Sequence, residues 1–200
     1  MINHARRLMK LGDTFIAYCD GSALGTPGAA AYAFALFRSN GGEKIETQGV
    51  TSATNIEMEM AAAEALLGWL DPEDKGAIHT DSQHVVKGIT EWRASWQAHG
   101  WKTAKGKPVA HLPRWQRIFA LVDERPNVRF EWVKGHAGDV INEHVDELAR
   151  RTAEEIAGIP RTDPVIEKVG QLRALITARP ETQERGFMLE ALDVIETLAK

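Results

Sequence analysis

Two strand-like segments each end in an aspartate: TFIAYCD at 14–20 and GAIHTD at 76–81. The chain between them holds two further strand-like segments and one helical one. A link from the first segment to a parallel neighbour therefore has to run through that helix, and such crossovers are right-handed. If the two segments lie parallel and adjacent, Asp20 and Asp81 emerge side by side at one edge of the sheet, where open α/β sheets bind ligands.

The pattern around them supports this. After Gly25 to Gly28, AAAYAFALFRS (29–39) is apolar enough for a strand buried on both faces. Asn40-Gly41-Gly42 is a hairpin signal, with EKIETQGVTS as its partner strand. Asp20-Gly21 reads as the turn that ends the first strand. Thr54 opens a helix, with Glu57 at the capping-box spacing. Ile56, Met60, Ala63, Leu67 and Leu70 predict its inward face, and Asp71-Pro72 stops it. SQHVVKGI and 112–125 are helical, and 127–134 alternates as a strand. Residues 135–141 form a loop, and 142–158 an amphipathic helix ended by Gly158-Ile159-Pro160. The order βββ-α-β-α-β-α is α/β. Past Pro160 come two helical patterns, roughly 164–178 and 181–199. The expected division is an N-terminal extension (1–12), a catalytic domain (13–158) and a C-terminal helical extension (159–200).

Composition narrows the classes. With 200 residues, 44% hydrophobic and 26% charged, the chain is a globular domain with room for a small extension. No apolar run reaches the roughly 18 residues that span a bilayer. MINHARRLMKLGD lacks the apolar core and cleavage site of a secretory signal. Cys19, the one cysteine, excludes an intrachain disulfide and a multi-cysteine metal cluster, so a cytoplasmic setting is expected. A net charge of −4 confines any polyanion site to a local patch.

The carboxylates carry the chemistry. Glu59 lies on or beside the inward stripe of the helix joining the two strands, and Asp146 sits on the last core helix beside KGHAGDVIN. Singly, each has a plain structural reading: Asp20 as a turn former, Asp81 as a helix cap, Glu59 and Asp146 as solvated surface groups. Together at one sheet edge they would repel one another unless hard divalent cations neutralise them. Oxygen-only ligands suit Mg²⁺ or Mn²⁺ rather than zinc.

DGSALGTPG (20–28), TNIEMEMAAAEAL (54–66), TDSQHVVKGI (80–89), EWRASWQAHGWKTAKGKPV (91–109), RWQRI (114–118) and VKGHAGDVINEHVDELAR (133–150) resemble, in order and spacing, the bacterial-type ribonuclease HI family. The resemblance covers about 13–157. It implies a ribonuclease H-like fold, a five-stranded mixed sheet with flanking helices. It also implies endonucleolytic hydrolysis of the RNA strand of RNA–DNA hybrids, giving 3′-hydroxyl and 5′-phosphate ends. Asp20, Glu59, Asp81 and Asp146 fall on the family's metal-binding carboxylates, and His136 on its loop histidine, suited to proton transfer. Two Mg²⁺ ions are implied, with Mn²⁺ a substitute: one held by Asp20 and Asp146 to activate water, one by Asp20, Glu59 and Asp81 to stabilise the leaving oxygen.

Gly21, Ser22, Asn55, Gln83, Trp101, Lys102 and Asn142 fall on or near substrate-contacting positions, though Asn142 could equally cap the last helix. Thr26, Ile56 and Glu57 depart from the family's usual asparagine, asparagine and arginine. Segment 87–117 resembles the family's basic handle. Lys87, Arg93, Lys102, Lys105, Lys107, Arg114 and Arg117 against Glu91 give it +6 in a chain whose remainder is −10. Trp92, Trp96 and Trp115 read as core, Trp101 as the best contact candidate. The tail is net acidic, which argues against a second hybrid-binding module. Its Leu172, Leu175, Ile176, Met188, Leu192, Ile195 and Leu198 predict a helical hairpin that packs on the domain or pairs with another chain. The expected partner is the hybrid duplex, without a membrane, and the expected state a monomer. The competing classes are a non-catalytic nucleic-acid-binding module and a related nuclease acting on DNA.

Overall fold

Gly28–Arg38 and Glu43–Ala53 pair antiparallel as β2 and β3, joined through the Asn40-Gly41-Gly42 turn. In this computed structural model, which describes residues 1–160, 164–178, 181 and 183–198, they extend a five-stranded sheet of order β3-β2-β1-β4-β5. β1 (Phe15–Ala23) is antiparallel to β2 and parallel to β4 (Gly76–Thr80), which is parallel to β5 (Val128–Trp132). The mixed five-stranded sheet with flanking helices is thus present.

α2 (Asn55–Gly68) makes the crossover from β3 to β4. Thr54 caps it with the full reciprocal box: its hydroxyl accepts from Glu57 N, and Glu57 accepts from Thr54 N. Met60, Ala63, Leu67 and Leu70 are buried as the stripe predicts, but Ile56 is 41% exposed. It stands in the first turn, before the helix passes under the sheet. Each fully buried leucine there contributes about 2 kcal/mol. α3 (Gln83–Lys87) continues through a π-helical turn (Gly88–Trp92) into α4 (Arg93–Ala98), and α5 (Leu112–Asp123) places Trp115, Ile118 and Phe119 in the same core as α2. On the opposite face α6 (Val140–Ile156) buries Ile141, Val145 and Ala149 against Ile16, Tyr18 and Phe37.

Two local readings change. β1 does not turn at Asp20-Gly21 but runs on to Ala23, pairing Asp20 with Ala33 and Gly21 with Tyr32. Residues 1–12 hold α1 (Ile2–Leu8), which buries Ala5 in the α6-side core, and Lys10 Nζ pairs with Glu131 at 2.6 Å. Asn142 does not cap α6. Asp139 does, accepting from Ile141 N at 3.1 Å and Asn142 N at 3.2 Å.

The chain divides into two compact units, Met1–Ile159 and Pro160–Lys200. In the second, α7 (Pro164–Thr177) and α8 (Gln183–Leu198) share a small core of Val169, Ile176 and Leu192, with an Arg173–Asp193 ion pair at 2.5 Å. Leu172, Leu175, Met188 and Ile195 are exposed, and the Leu198 side chain lies outside the described residues. No helix among the described residues is long and apolar enough to cross a membrane.

Candidate active site

Because β1 continues through Asp20, its carboxylate is held by sheet pairing rather than by a flexible turn. The residue is only 6% exposed, and Gly21 N donates to Oδ1 at 2.8 Å. Gly21 is what lets α2 approach. A Cβ there would stand 2.2 Å from Glu59 N and 2.4 Å from Met58 C. The start of α2 therefore lies directly on β1 and carries Glu59 to the Asp20 edge.

Glu59 is then fixed from two sides. Oε2 accepts from Ser82 Oγ at 2.5 Å, and Oε1 from Asn55 Nδ2 at 3.0 Å. Ser82, buried, is the N-cap of α3, accepting from Val85 N at 3.3 Å. The cap role considered for Asp81 belongs to its neighbour, which leaves the Asp81 carboxylate available. Asp81 follows the last residue of β4. Its carbonyl accepts from Trp132 Nε1 at 3.0 Å, and a Cβ on Gly135 would stand 2.5 Å from Asp81 Oδ2. The loop before α6 thus passes against Asp81. That loop presents His136, whose side chain is 82% exposed, with Nδ1 3.9 Å from Asp146 Oδ2 on α6. Asn142, one turn before Asp146, is 2% exposed, and its Oδ1 has no hydrogen-bond partner.

The four acids feel one another. Burial pushes the Asp20 carboxyl up to about 8, and the charges of Asp81, Asp146 and Glu59 add to it, against the Gly21 N–H. Burial and Asp81 also raise Glu59, against the hydrogen bonds from Ser82 and Asn55. The buried Cys19 thiol is raised by burial and then by Asp20. Among the described residues no lysine or arginine pairs with any of the four acids. No three His, Cys, Asp or Glu side chains among those residues are already drawn in to the spacing of a closed metal cage. The arrangement is an uncompensated, oxygen-only pocket whose charge a hard divalent cation would balance.

The predicted substrate residues fall into two groups. Gly21, Ser22, Asn55 and Asn142 lie on elements that carry acids, and Gln83 opens α3 two residues after Asp81. Trp101 and Lys102 stand on the loop between α4 and α5. There Trp101 is half-buried, its ring stacked on Phe119 at 6.1 Å, while Lys102 is exposed. Trp115 is fully buried, and Trp92 and Trp96 are half-buried beside it. The handle's charge is partly spent internally: Arg93 pairs with Asp123, and Arg114 and Arg117 both pair with Glu64. Lys87, Lys102, Lys105 and Lys107 form no ion pair among the described residues. Glu57 is turned into the α2 cap, 3.7 Å from His111, and its carboxyl is held below the usual range, chiefly by the Thr54 N–H. The negative charge there is absorbed by its neighbours.

Ser82, Gly135 and Trp132 were not legible as site residues. Ser82 had a visible signal, a hydroxyl directly after the strand-end aspartate. Gly135 and Trp132 act only through tertiary proximity.

The family model described as RNase H matches residues 13–154. The chain belongs to the RNase H family. It is 46% identical over 136 residues to ribonuclease H of Escherichia coli (strain HS), covering 68% of this chain and 86% of that protein. It is 45% identical over the same length to ribonuclease H of Shigella boydii, with the same coverage. Among solved structures, the N-terminal RNase H domain of a Mycobacterium tuberculosis protein, fused to maltose binding protein, aligns with a TM-score of 0.55 at 22% identity. That alignment covers 72% of this chain and 96% of the other. RNase H1 of the halophilic archaeon Halobacterium salinarum aligns with a TM-score of 0.52 at 24% identity, covering 70% and 98%. These two likenesses speak to the RNase H fold.

Proposed function

We propose that this RNase H family member is an endonuclease that hydrolyses the RNA strand of RNA–DNA hybrids, leaving 3′-hydroxyl and 5′-phosphate ends. The observation that carries the reading is Asp20: buried at a sheet edge, crowded by Glu59, Asp81 and Asp146, and lacking a cationic partner among the described residues. A pure polyanion binder gains nothing from four negative charges at its binding edge.

The donor set fits Mg²⁺, with Mn²⁺ a substitute. Asp20 and Asp146 would hold one ion, and Asp20, Glu59 and Asp81 a second. Bound there, such ions supply Lewis-acid stabilisation of the oxygens entering and leaving phosphorus. The chain's own residues do the rest. Gly21 N and the β-pairing hold Asp20 in place, and Ser82 and Asn55 hold the Glu59 oxygens. A water oxygen bonds to phosphorus, the bond from phosphorus to the 3′ oxygen breaks, and that oxygen takes a proton. His136, exposed and close to Asp146, can accept the proton lost by the attacking water and release it to solvent. Gln83, Asn55 and Ser22 contact the RNA strand's ribose hydroxyls in this reading. Lys102 and the half-buried Trp101 face the DNA strand. We place this activity in the cytoplasm, with the chain acting as a monomer.

The test is cleavage of an end-labelled RNA–DNA hybrid with Mg²⁺ and with EDTA, beside matched DNA duplex and RNA duplex. RNA-strand products that need the metal and the hybrid support the reading. Binding without product in both Mg²⁺ and Mn²⁺ overturns it, as does cleavage of the DNA duplex alone. His136→Ala is expected to slow steady-state turnover by about tenfold to a hundredfold without abolishing it. A rate equal to wild type would remove the histidine from the mechanism.

A further inference from the structure

Among their described residues, the two helices of the C-terminal unit leave more large apolar side chains open than they close. They bury Val169, Ile176 and Leu192, with Leu189 half-buried beside these three. The Arg173–Asp193 ion pair marks one side of that seam. Helical spacing, at about 3.6 residues per turn, places Leu172 and Leu175 of α7 and Met188 and Ile195 of α8 together on the other side. All four are exposed, Leu175 to 67%, and Phe187 continues the face. Among the described residues no element of the catalytic unit leaves more than two large apolar side chains open, whereas α8 alone leaves four. A helical pair of about 40 residues cannot bury enough to hold itself and ordinarily relies on disulfides, a metal or another surface. The unit Pro160–Lys200 contains no cysteine and no histidine, which leaves another surface.

We propose that this face pairs with the same face of a second copy of the chain, closing a four-helix bundle about a two-fold axis parallel to the helices. Such a contact needs one surface that complements itself, and an apolar face does. The charges decide which helices meet. By sequence, α7 carries Lys168 and Arg173 against Glu167, a net of +1. α8 carries Arg185 against Glu184, Glu190, Asp193 and Glu196, a net of −3. Stacking α7 on the second copy's α8 sets opposite charges side by side and puts the two α8 helices on a diagonal. With the axis along the helices, those neighbours run antiparallel, as in ordinary four-helix bundles. The five side chains of the face close about 500 Å² on each copy, near the lower limit for a specific interface, so a micromolar dissociation constant is expected. Each copy keeps all four acids. The catalytic unit therefore still acts singly, and the pairing does not rest on what it cleaves.

The experiment is sedimentation of the full chain from low to high micromolar concentration. The mass is expected to rise toward twice the 22.1 kDa of one chain. Leu175→Glu and Met188→Lys should each raise the dissociation constant by about a hundredfold, because each buries a lone charge at the contact. Hybrid cleavage at the wild-type level per chain shows the catalytic unit intact in both. Stacking of α7 on the second copy's α8 sets Leu175 across from Met188 of that copy. An equimolar mix of the two variants should therefore recover a dimer, with the introduced glutamate facing the introduced lysine at one contact and leucine facing methionine at the other. A tail that had merely unfolded would not recover on mixing. A mass of one chain at every concentration overturns the pairing, and assigns the face to the chain's own catalytic unit if Leu175→Glu then lowers the melting temperature. Dimers that persist in both variants, or a mix that stays monomeric, overturn it as well.

Discussion

Asp20→Asn is expected to lower Mg²⁺-dependent hybrid cleavage by about a thousandfold or more, and at the same time to make the metal-free protein more stable. The two effects have one cause. Asp20 is buried among three other carboxylates, and its carboxyl titrates near 8 in the fold against 3.8 in an unconstrained chain. Between those values the folded protein holds a proton that the unfolded chain has released. The contribution is thus fully present below the lower value and lost as pH rises through the upper one. Metal-free wild-type protein should melt at a lower temperature at pH 8 than at pH 5, with proton release on adding Mg²⁺. Asparagine keeps the shape and carries no charge. At pH 7 the variant should gain about 3 kcal/mol in EDTA, or about 5–10 °C in Tm. Adding Mg²⁺ should stabilise wild type and leave the variant nearly unmoved. Calorimetric melts at the two pH values, with EDTA and with Mg²⁺, check this. A variant with full activity, or one whose melting tracks pH as wild type does, would remove Asp20 from the centre of the site.

The same residue shows what the sequence could and could not reveal. That one strand leads into Asp20 and another into Asp81 was legible, because β-branched and aromatic runs are local signals. The capping box at Thr54 and the inward stripe of α2 were legible for the same reason, except at Ile56. The continuation of β1 through Gly21 was not. Asp20-Gly21 has turn chemistry, and only pairing with β2 on one side and the closeness of α2 on the other make extended backbone the better choice there. The capping alternative for Asn142 fails for a related reason. Asp139 stands three residues earlier with an equally good capping side chain, and which one caps depends on where the loop is held. α1 is a short helix whose burial of Ala5 is a tertiary effect. Gathering of the acids was inferred from topology and resemblance, but the parts that fix them were not visible: the Ser82 hydroxyl on Glu59, the Gly135 backbone against Asp81, the Trp132 N–H on the Asp81 carbonyl. Each joins residues on different elements, and no periodicity in the chain encodes it.

Gly21→Ala is expected to be the most damaging single methyl group in the site. The reason is closeness, not backbone strain, because Gly21 sits in ordinary extended strand. The added carbon would lie 2.2 Å from Glu59 N, 2.4 Å from Met58 C and 2.7 Å from Met58 Cβ. The first two are backbone atoms of α2, so no rotamer change can relieve the contact. Either β1 and α2 separate, at an overpacking cost of about 3 kcal/mol, or the first turn of α2 shifts and carries Glu59 off the Ser82 hydroxyl. A displacement of about 1 Å at a catalytic carboxylate costs on the order of a hundredfold in rate. Stability and activity should therefore fall together, unlike Asp20→Asn, where they part. Gly138→Ala is the matched control. Gly138 lies in the loop after His136 with φ of +87° and nothing within 4 Å of an added Cβ, so it loses only its left-handed freedom, about 1 kcal/mol. Urea unfolding midpoints and hybrid-cleavage rates for the two variants separate the cases. If Gly21→Ala unfolds and cleaves like wild type, the close seating of α2 on β1 does not hold Glu59 at the site.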